Sequence, residues 1–300
     1  MDYVPLGKSG LTCSVIGLGG GSSSRFGLVK GGTKSDALRL IHEALDQGIT
    51  FFDGAGITGG IDDLLTEGLG NRRKDVVVST KMHLGPEAGS ARIANKASSW
   101  IARRLGTTCS AATLRRRVER TLKALGTDHV DLLNLHAVSP IQYRQVRSKI
   151  LPELHRLKDE GKVRAIGITE AFLSDPGHQM LEGATADGGF DAIMVGFNAF
   201  NPSASKVVLP QARQAGTGTI GMFALRGLLN KPAAASLLNE ADASSLSELA
   251  LRFARHEEGL DVVLTGTGNI NHLRENIAAA LSPPLPASVV KRFQSLAPQP

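Results

Sequence analysis

The sequence predicts an α/β protein built as a closed (β/α)8 barrel of the TIM type, with an N-terminal β-hairpin capping the barrel bottom. Three observations carry this reading. Eight short runs rich in β-branched residues recur along the chain, most of them are continuously apolar, and each is followed by a segment of helical spacing. The chain has 300 residues, 42% of them hydrophobic, enough for a large core. Barrels of this kind commonly run to about 250 residues as one unit, so a single domain over residues 1–300 is expected.

The opening "DYVPLGKSGLTCS" reads as the hairpin, turning at Lys8, Ser9 and Gly10. The barrel strands follow as "SVIGLG" (14–19), "TFFDGA" (50–55), "DVVVSTK" (75–81), "HVDLLNLH" (129–136), "VRAIGIT" (163–169), "DAIMVGF" (191–197), "GTIGMF" (218–223) and "DVVLTG" (261–266). "SDALRLIHEALDQG" (35–48) has apolar residues at three- and four-residue steps and ends on glycine, as a helix does. "IDDLLTEGLG", "AATLRRRVERTLKALG", "ILPELHRLKDEG", "ASKVVLPQARQAG", "SSLSELALRFARHEEG" and "NHLRENIAAAL" repeat that pattern. Residues 82–109 and 226–243 are too long to be plain links, and both emerge on the C-terminal face, where barrel enzymes build their sites. Trp100, in the first, is expected to pack that segment onto the barrel. "GLGGGS" (17–22) imitates the glycine fingerprint of a doubly wound nucleotide fold. That fold is rejected because "SSSRFGLVKGGTK" delays the next helix and the strand-end acid comes only at Asp53.

A net charge of +6 raises the question of nucleic acid, with "RRR" at 115–117 as the sharpest basic cluster. The cluster lies on a helical pattern as a solvated face would, and 4% aromatic residues offer no platform for stacking bases. No nucleic-acid partner is expected, whereas attraction to an anionic small molecule such as a phosphorylated cofactor fits. No stretch approaches the roughly 20 apolar residues of a membrane span, and the first residues lack a signal-peptide pattern, so a cytoplasmic protein without membrane contact is expected. Cys13 and Cys109 stand far apart without CxxC spacing, which indicates neither a disulfide framework nor a metal site.

Polar residues closing barrel strands are the natural site candidates. Asp53 closes the second strand, Lys81 the third and His136 the fourth. Each alone has an ordinary structural use, but three at successive strand ends point to one partly desolvated site. There a carboxylate favours the charged lysine and burial opposes it.

With those residues stand longer stretches: "YVPLGKSGLTCSVIGLGGG", "DQGITFFDGA", "VVVSTKM", "TLKALGTDHVDLLNLH", "GKVRAIGITE" and "TGTGNINHLREN". Over nearly its whole length the chain resembles the aldo-keto reductases. The resemblance implies a small-molecule carbonyl or sugar-like substrate, NAD(P)H, and an Asp, Tyr, Lys and His quartet in which tyrosine donates the proton. Asp53, Lys81 and His136 match, but the tyrosine position, five residues after the acid, holds Thr58. A phenol has an ordinary pKa near about 10, within a lysine's influence, whereas an aliphatic hydroxyl does not usefully titrate. Thr58 is left to orient the oxygen. Tyr3 lies at the wrong end of the barrel. Tyr143 stands either at the pocket rim or at an outer helix start. His136, with an ordinary pKa near about 6.5, is the better substitute acid, with Lys81 and an ordered water as the other route.

The resemblance also assigns a cofactor site, and several positions depart from it. Thr169 and Glu170 replace a serine–asparagine pair, Met194 a glutamine, and Met222, beside Phe223, a ring-stacking aromatic. The nicotinamide carboxamide thereby loses amide partners, although a thioether can still cover a ring. Gly266, Thr267, Gly268 and Asn269 open a helix, which suits a phosphate. Glu275 and Asn276 match adenine contacts. His272 stands where an arginine often grips the 2′-phosphate of NADP, and Gly266 where some members have lysine. The resemblance favours NADP, and the lost cations weaken that preference toward NAD. Three functions remain: an oxidoreductase with an unusual proton donor, a non-redox lyase or epimerase using Lys81, His136 and Glu170, and a dinucleotide-binding module with little catalysis.

Overall fold

A computed structural model describes residues 1–21, 24–56, 60–85, 92–228 and 232–296 of the chain. Thr58 lies outside the described residues. Strands β1 (Tyr3–Pro5) and β2 (Thr12–Ser14) pair antiparallel as the hairpin. Eight parallel strands then close the barrel: β3 (Ile16–Gly19), β4 (Phe51–Asp53), β5 (Val77–Met82), β6 (Val130–Val138), β7 (Val163–Glu170), β8 (Ala192–Gly196), β9 (Gly218–Met222) and β10 (Val262–Thr265), with β10 returning to β3.

The helices are α1 (Lys34–Asp46), α2 (Ile61–Leu69), α3 (Arg92–Leu105), α4 (Ala111–Leu125), α5 (Pro140–Gln145), α6 (Leu151–Asp159), α7 (Gln179–Asp187), α8 (Val208–Ala215), α9 (Leu238–Ala241), α10 (Leu246–Arg255), α11 (Ile270–Leu281) and α12 (Ala287–Ser295). Their starts follow local chemistry: Thr33 and Asp36 form a capping box at α1, and Ser110 and Ser245 cap α4 and α10. No described helix is long and apolar enough to cross a membrane.

Alternation along the strands sends Phe51, Val77, Leu132, Ala165, Ala192, Met194, Ile220 and Val262 into the barrel. Leu6, Leu11 and Cys13 of the hairpin complete that cluster from below, and the Lys8 amide anchors the turn on the Gly216 carbonyl at 2.8 Å. The hairpin thus plugs the bottom as expected. Cys13 and Cys109 are both buried and unbridged.

The structure departs from the sequence reading at several helices. Residues 82–109 contain α3, and 226–243 contain α9. Trp100 does not fasten its segment to the barrel: it is 52% exposed, with the Arg104 guanidinium 5.0 Å from the ring centre. Helix α7 escapes sequence reading because it starts at His178 in the left-handed conformation (φ 61°) instead of at a side-chain cap, and it carries Gly183.

Candidate active site

Asp53 is the last residue of β4 and pairs in register with Ser79 of β5, which places its carboxylate beside Lys81, two residues further along the same face. Lys81 Nζ donates to Asp53 Oδ1 at 2.6 Å, to Asp53 Oδ2 at 2.5 Å and to the Gly54 carbonyl at 2.6 Å. An ammonium has three protons, so these acceptors occupy all of them. Ser79 Oγ donates to Asp53 Oδ1 at 2.9 Å and receives Asn134 Nδ2 at 2.9 Å. Both charges are nearly closed from water, with Lys81 at 9% and Asp53 at 5% side-chain exposure. Below them lies a second buried carboxylate, Asp62, which receives the Ala55 amide at 3.0 Å and the Thr80 hydroxyl, and burial raises its pKa.

His136 lies where β6 breaks register between Leu135 and Val138. The break puts Ala137 at φ 50°, a conformation costly for a residue with a Cβ, and Thr169 Oγ1 holds it by accepting the Ala137 amide at 2.7 Å. Thr169 therefore supports the end of β6. Against His136 packs His83, edge to face, with ring centroids 4.5 Å apart and planes at 85°. Nδ1 of each ring is buried and without a partner.

Burial first, then the charges of Arg103, Arg117 and Lys81, push His83 down to about 4. His136 is held well below its ordinary value by burial and by His83, Lys81 and Arg103. Both imidazoles are neutral at pH 7. This weighs against the expectation that His136 serves as an imidazolium acid, because its surroundings disfavour the second proton.

Arg117 also departs from expectation. It is buried instead of lying on a solvated face, and it donates to the His83 carbonyl at 2.5 Å and the Gly85 carbonyl at 2.8 Å, so it holds the end of β5 in place. Its neighbour Arg115 is pinned by Glu153 and Glu160. Sequence reading missed His83. The signal available was its spacing, two residues after Lys81, which continues the face of β5 toward the barrel mouth.

At the positions assigned to the nicotinamide, the structure closes side chains off. Glu170 is fully buried, receiving His178 Nδ1 at 2.8 Å and the Gly196 amide at 2.6 Å. Met194 is 0% exposed within the barrel core. Met222 is partly exposed, and Phe223, in the left-handed conformation (φ 67°), is 40% exposed. The Phe223 ring lies 5.5 Å from that of Phe172 and 5.3 Å from the Arg226 guanidinium.

The other end of the cofactor site is backbone-lined. A Cβ on Gly268 would fall 2.1 Å from the Gly27 Cα, and one on Gly266 would fall 3.4 Å from Ser24 Oγ. Ser24 Oγ is buried and unpartnered, so a polar ligand group at Gly266 would satisfy it. The orphan hydroxyl fits a phosphorylated cofactor. Asn269 Oδ1 already accepts the Asn271 and His272 amides at 2.8 and 3.2 Å, so part of the helix start expected to serve a phosphate is capped from within. Thr267 Oγ1 supports Asn269 by accepting its amide at 3.0 Å. Asn276 is buried and donates to Thr265 Oγ1 at 2.6 Å, while His272 and Glu275 are exposed.

Neither tyrosine replaces a phenol in the site. Tyr3 OH donates to the Gly48 carbonyl, and Tyr143, buried in the helical layer, donates to Asp187 Oδ2 at 2.9 Å. Tyr143 therefore stands at the start of α5, the second of its two expected places, and not at the pocket rim. A cleft of about 640 Å³ lies at the barrel's other end, lined by Arg73, Lys74, His129, Asp131 and Arg164. There buried Asp131 binds Arg73 at 2.6 Å, Arg164 at 2.8 Å and the Val78 amide at 2.9 Å, an arrangement that stabilises the strand starts. Among the described residues no group of acids, histidines and cysteines could hold a metal ion.

Comparison with known proteins agrees with this geometry. L-Galactose dehydrogenase of Arabidopsis thaliana is 29% identical over 298 residues, covering 91% of this chain and 86% of the relative. Aldo-keto reductase YhdN of Bacillus subtilis is 28% identical over 235 residues, covering 76% of this chain and 64% of its own length. The holo form of an aldo-keto reductase from Bacillus halodurans superposes with a TM-score of 0.78 at 23% identity, over 99% of this chain and 97% of that one, which supports the barrel fold. The model of the aldo/keto reductase family matches residues 15–298, and the chain belongs to that family.

Proposed function

We propose that the protein is an NAD(P)-dependent oxidoreductase that interconverts an alcohol and a carbonyl on a small, sugar-like molecule, with a proton carrier other than a phenol. The observation that carries this reading is the desolvated Asp53–Lys81 pair at the barrel mouth, with the neutral imidazole of His136 beside it. The Arabidopsis relative, named as a dehydrogenase of a sugar, supports both the substrate class and the oxidative direction.

A nicotinamide dinucleotide, when bound, would supply the hydride chemistry. The chain's residues do the rest. Ser24 and the Gly266–Asn269 turn suit the cofactor's phosphates, Met222 and Phe223 its ring. Lys81, saturated by its own acceptors, acts on a developing oxyanion through its charge and not as a proton donor.

The only arginine of α11, Arg274, is spent on a two-pronged pair with Glu43 at 2.8 and 3.0 Å. Discrimination between NAD and NADP should therefore stay within about tenfold. Burial of Glu170 leaves proton abstraction by a lyase or epimerase without its extra base.

The test is a panel of sugars, polyols and secondary alcohols with both oxidised dinucleotides, and of aldehydes and ketones with both reduced ones. Formation of reduced nicotinamide is expected, and silence across the panel would sink the reading. In the same assays Thr58→Tyr should raise carbonyl reduction by about tenfold or more, since a placed general acid is worth roughly 10²–10⁴. A gain below about twofold would show that the missing phenol does not limit reduction.

A further inference from the structure

We propose that His83, set edge to face against His136, is the group that takes the hydroxyl proton when this site oxidises an alcohol. The proposal rests on the oxidoreductase reading and names the proton acceptor that reading lacks. Most of the other described polar groups near this mouth are committed, and Asn134 Oδ1 and His178 Nε2, which have no partner, belong to fully buried residues. Asp53 is held by Lys81 and Ser79, and Lys81 has no proton to spare. Asp62 is bound by Thr80 and Ala55, Thr169 Oγ1 by the Ala137 amide, and Glu170 by His178 and Gly196. The two imidazoles remain, both partly exposed and both without a hydrogen bond to the ring.

With Nδ1 of each ring buried, Nε2 is the nitrogen left for substrate, and His83 continues toward the mouth the face of β5 that carries Lys81. The edge-to-face contact at 4.5 Å lets an N–H of one ring rest on the face of the other, so that His83 need not carry its proton on Nε2. The Arg117 bond to its carbonyl fixes where the ring starts.

In the step itself the substrate O–H bond breaks and its proton passes to His83 Nε2. The carbon releases its hydride, with both electrons, to the oxidised nicotinamide, and C–O becomes C=O. The imidazolium then gives the proton to water, driven by the positive charges around it, Lys81 of β5, Arg103 of α3 and Arg117 of α4, with Asp53 of β4 set against Lys81. A base must be unprotonated to act. Because His83 titrates at about 4, oxidation is sustained as pH falls through the ordinary histidine range and is lost only as pH approaches that value.

The experiment combines kinetics with NMR on the full-length protein labelled at histidine Cε1. His83→Gln is expected to lower kcat for alcohol oxidation about 100-fold or more, with dinucleotide affinity by fluorescence changed less than about threefold. In the wild-type protein kcat/KM should stay level from about pH 8 to about pH 5, and the His83 Cε1 resonance should keep its neutral position over that range. Oxidation surviving in His83→Gln, or a wild-type His83 resonance titrating near about pH 6.5, overturns the proposal while leaving the oxidoreductase reading intact. Absence of turnover in dinucleotide-saturated wild-type protein ends both. The NMR titration needs no substitution, so it decides even if His83→Gln fails to fold.

Discussion

Asp53→Asn is expected to lower the melting temperature by roughly 10 °C and to abolish turnover. The carboxylate receives both a buried ammonium and the Ser79 hydroxyl, and the Lys81 side chain is only 9% exposed. Taking away one partner of a buried pair leaves the other charge desolvated and uncompensated, a loss of about 3–5 kcal/mol. In a chain of this size each kcal/mol moves the midpoint by roughly 2–4 °C. Differential scanning calorimetry measures the shift. The double variant Asp53→Asn with Lys81→Met should recover more than about 1 kcal/mol relative to additivity, because neither charge then remains. A shift below about 2 °C for the single variant would mean that the pair is solvated, and would remove the basis for treating Lys81 as a strongly felt charge.

Glu170→Ala should be comparably destabilising, by about 3–5 kcal/mol, yet almost silent in cofactor binding. Its side chain is completely buried, and removing it orphans His178 Nδ1 and the Gly196 amide together. Gly196 ends β8, and a Cβ there would fall 2.3 Å from the Phe172 ring, so this corner is close packed. Thermal unfolding followed by circular dichroism checks the first half of the prediction and nicotinamide fluorescence the second. If Glu170→Ala kept its stability and bound dinucleotide about tenfold more tightly, the carboxylate would be facing the cofactor, and the proton-abstraction reading would return.

What the sequence makes legible follows from the physics that each residue obeys. Asp53 and Lys81 stand at the ends of apolar runs, and parallel strands in register bring such ends together, so their meeting is readable from spacing. Glu170 is readable by the same alternation in the opposite sense: with Thr169 turned toward the His136 bulge, the next side chain turns to the helical layer. A match by position alone puts it at the cofactor.

His83 is hidden because it follows β5 directly and looks like the first residue of a loop. Its significance comes from a ring 53 positions away and an arginine on α4, neither of which any local pattern connects to it. The depressed pKa values of the two imidazoles have the same origin. Burial and the charges of Arg103, Arg117 and Lys81 are products of the fold, and an isolated histidine carries no trace of them.

Titration of the purified protein with NADH and with NADPH, followed through nicotinamide emission, tests the central claim most directly. The account predicts saturable binding of both, with dissociation constants within about tenfold of each other. No change in emission up to about 1 mM of either dinucleotide would contradict it, since Ser24 and the Gly266–Asn269 turn would then serve something other than a dinucleotide.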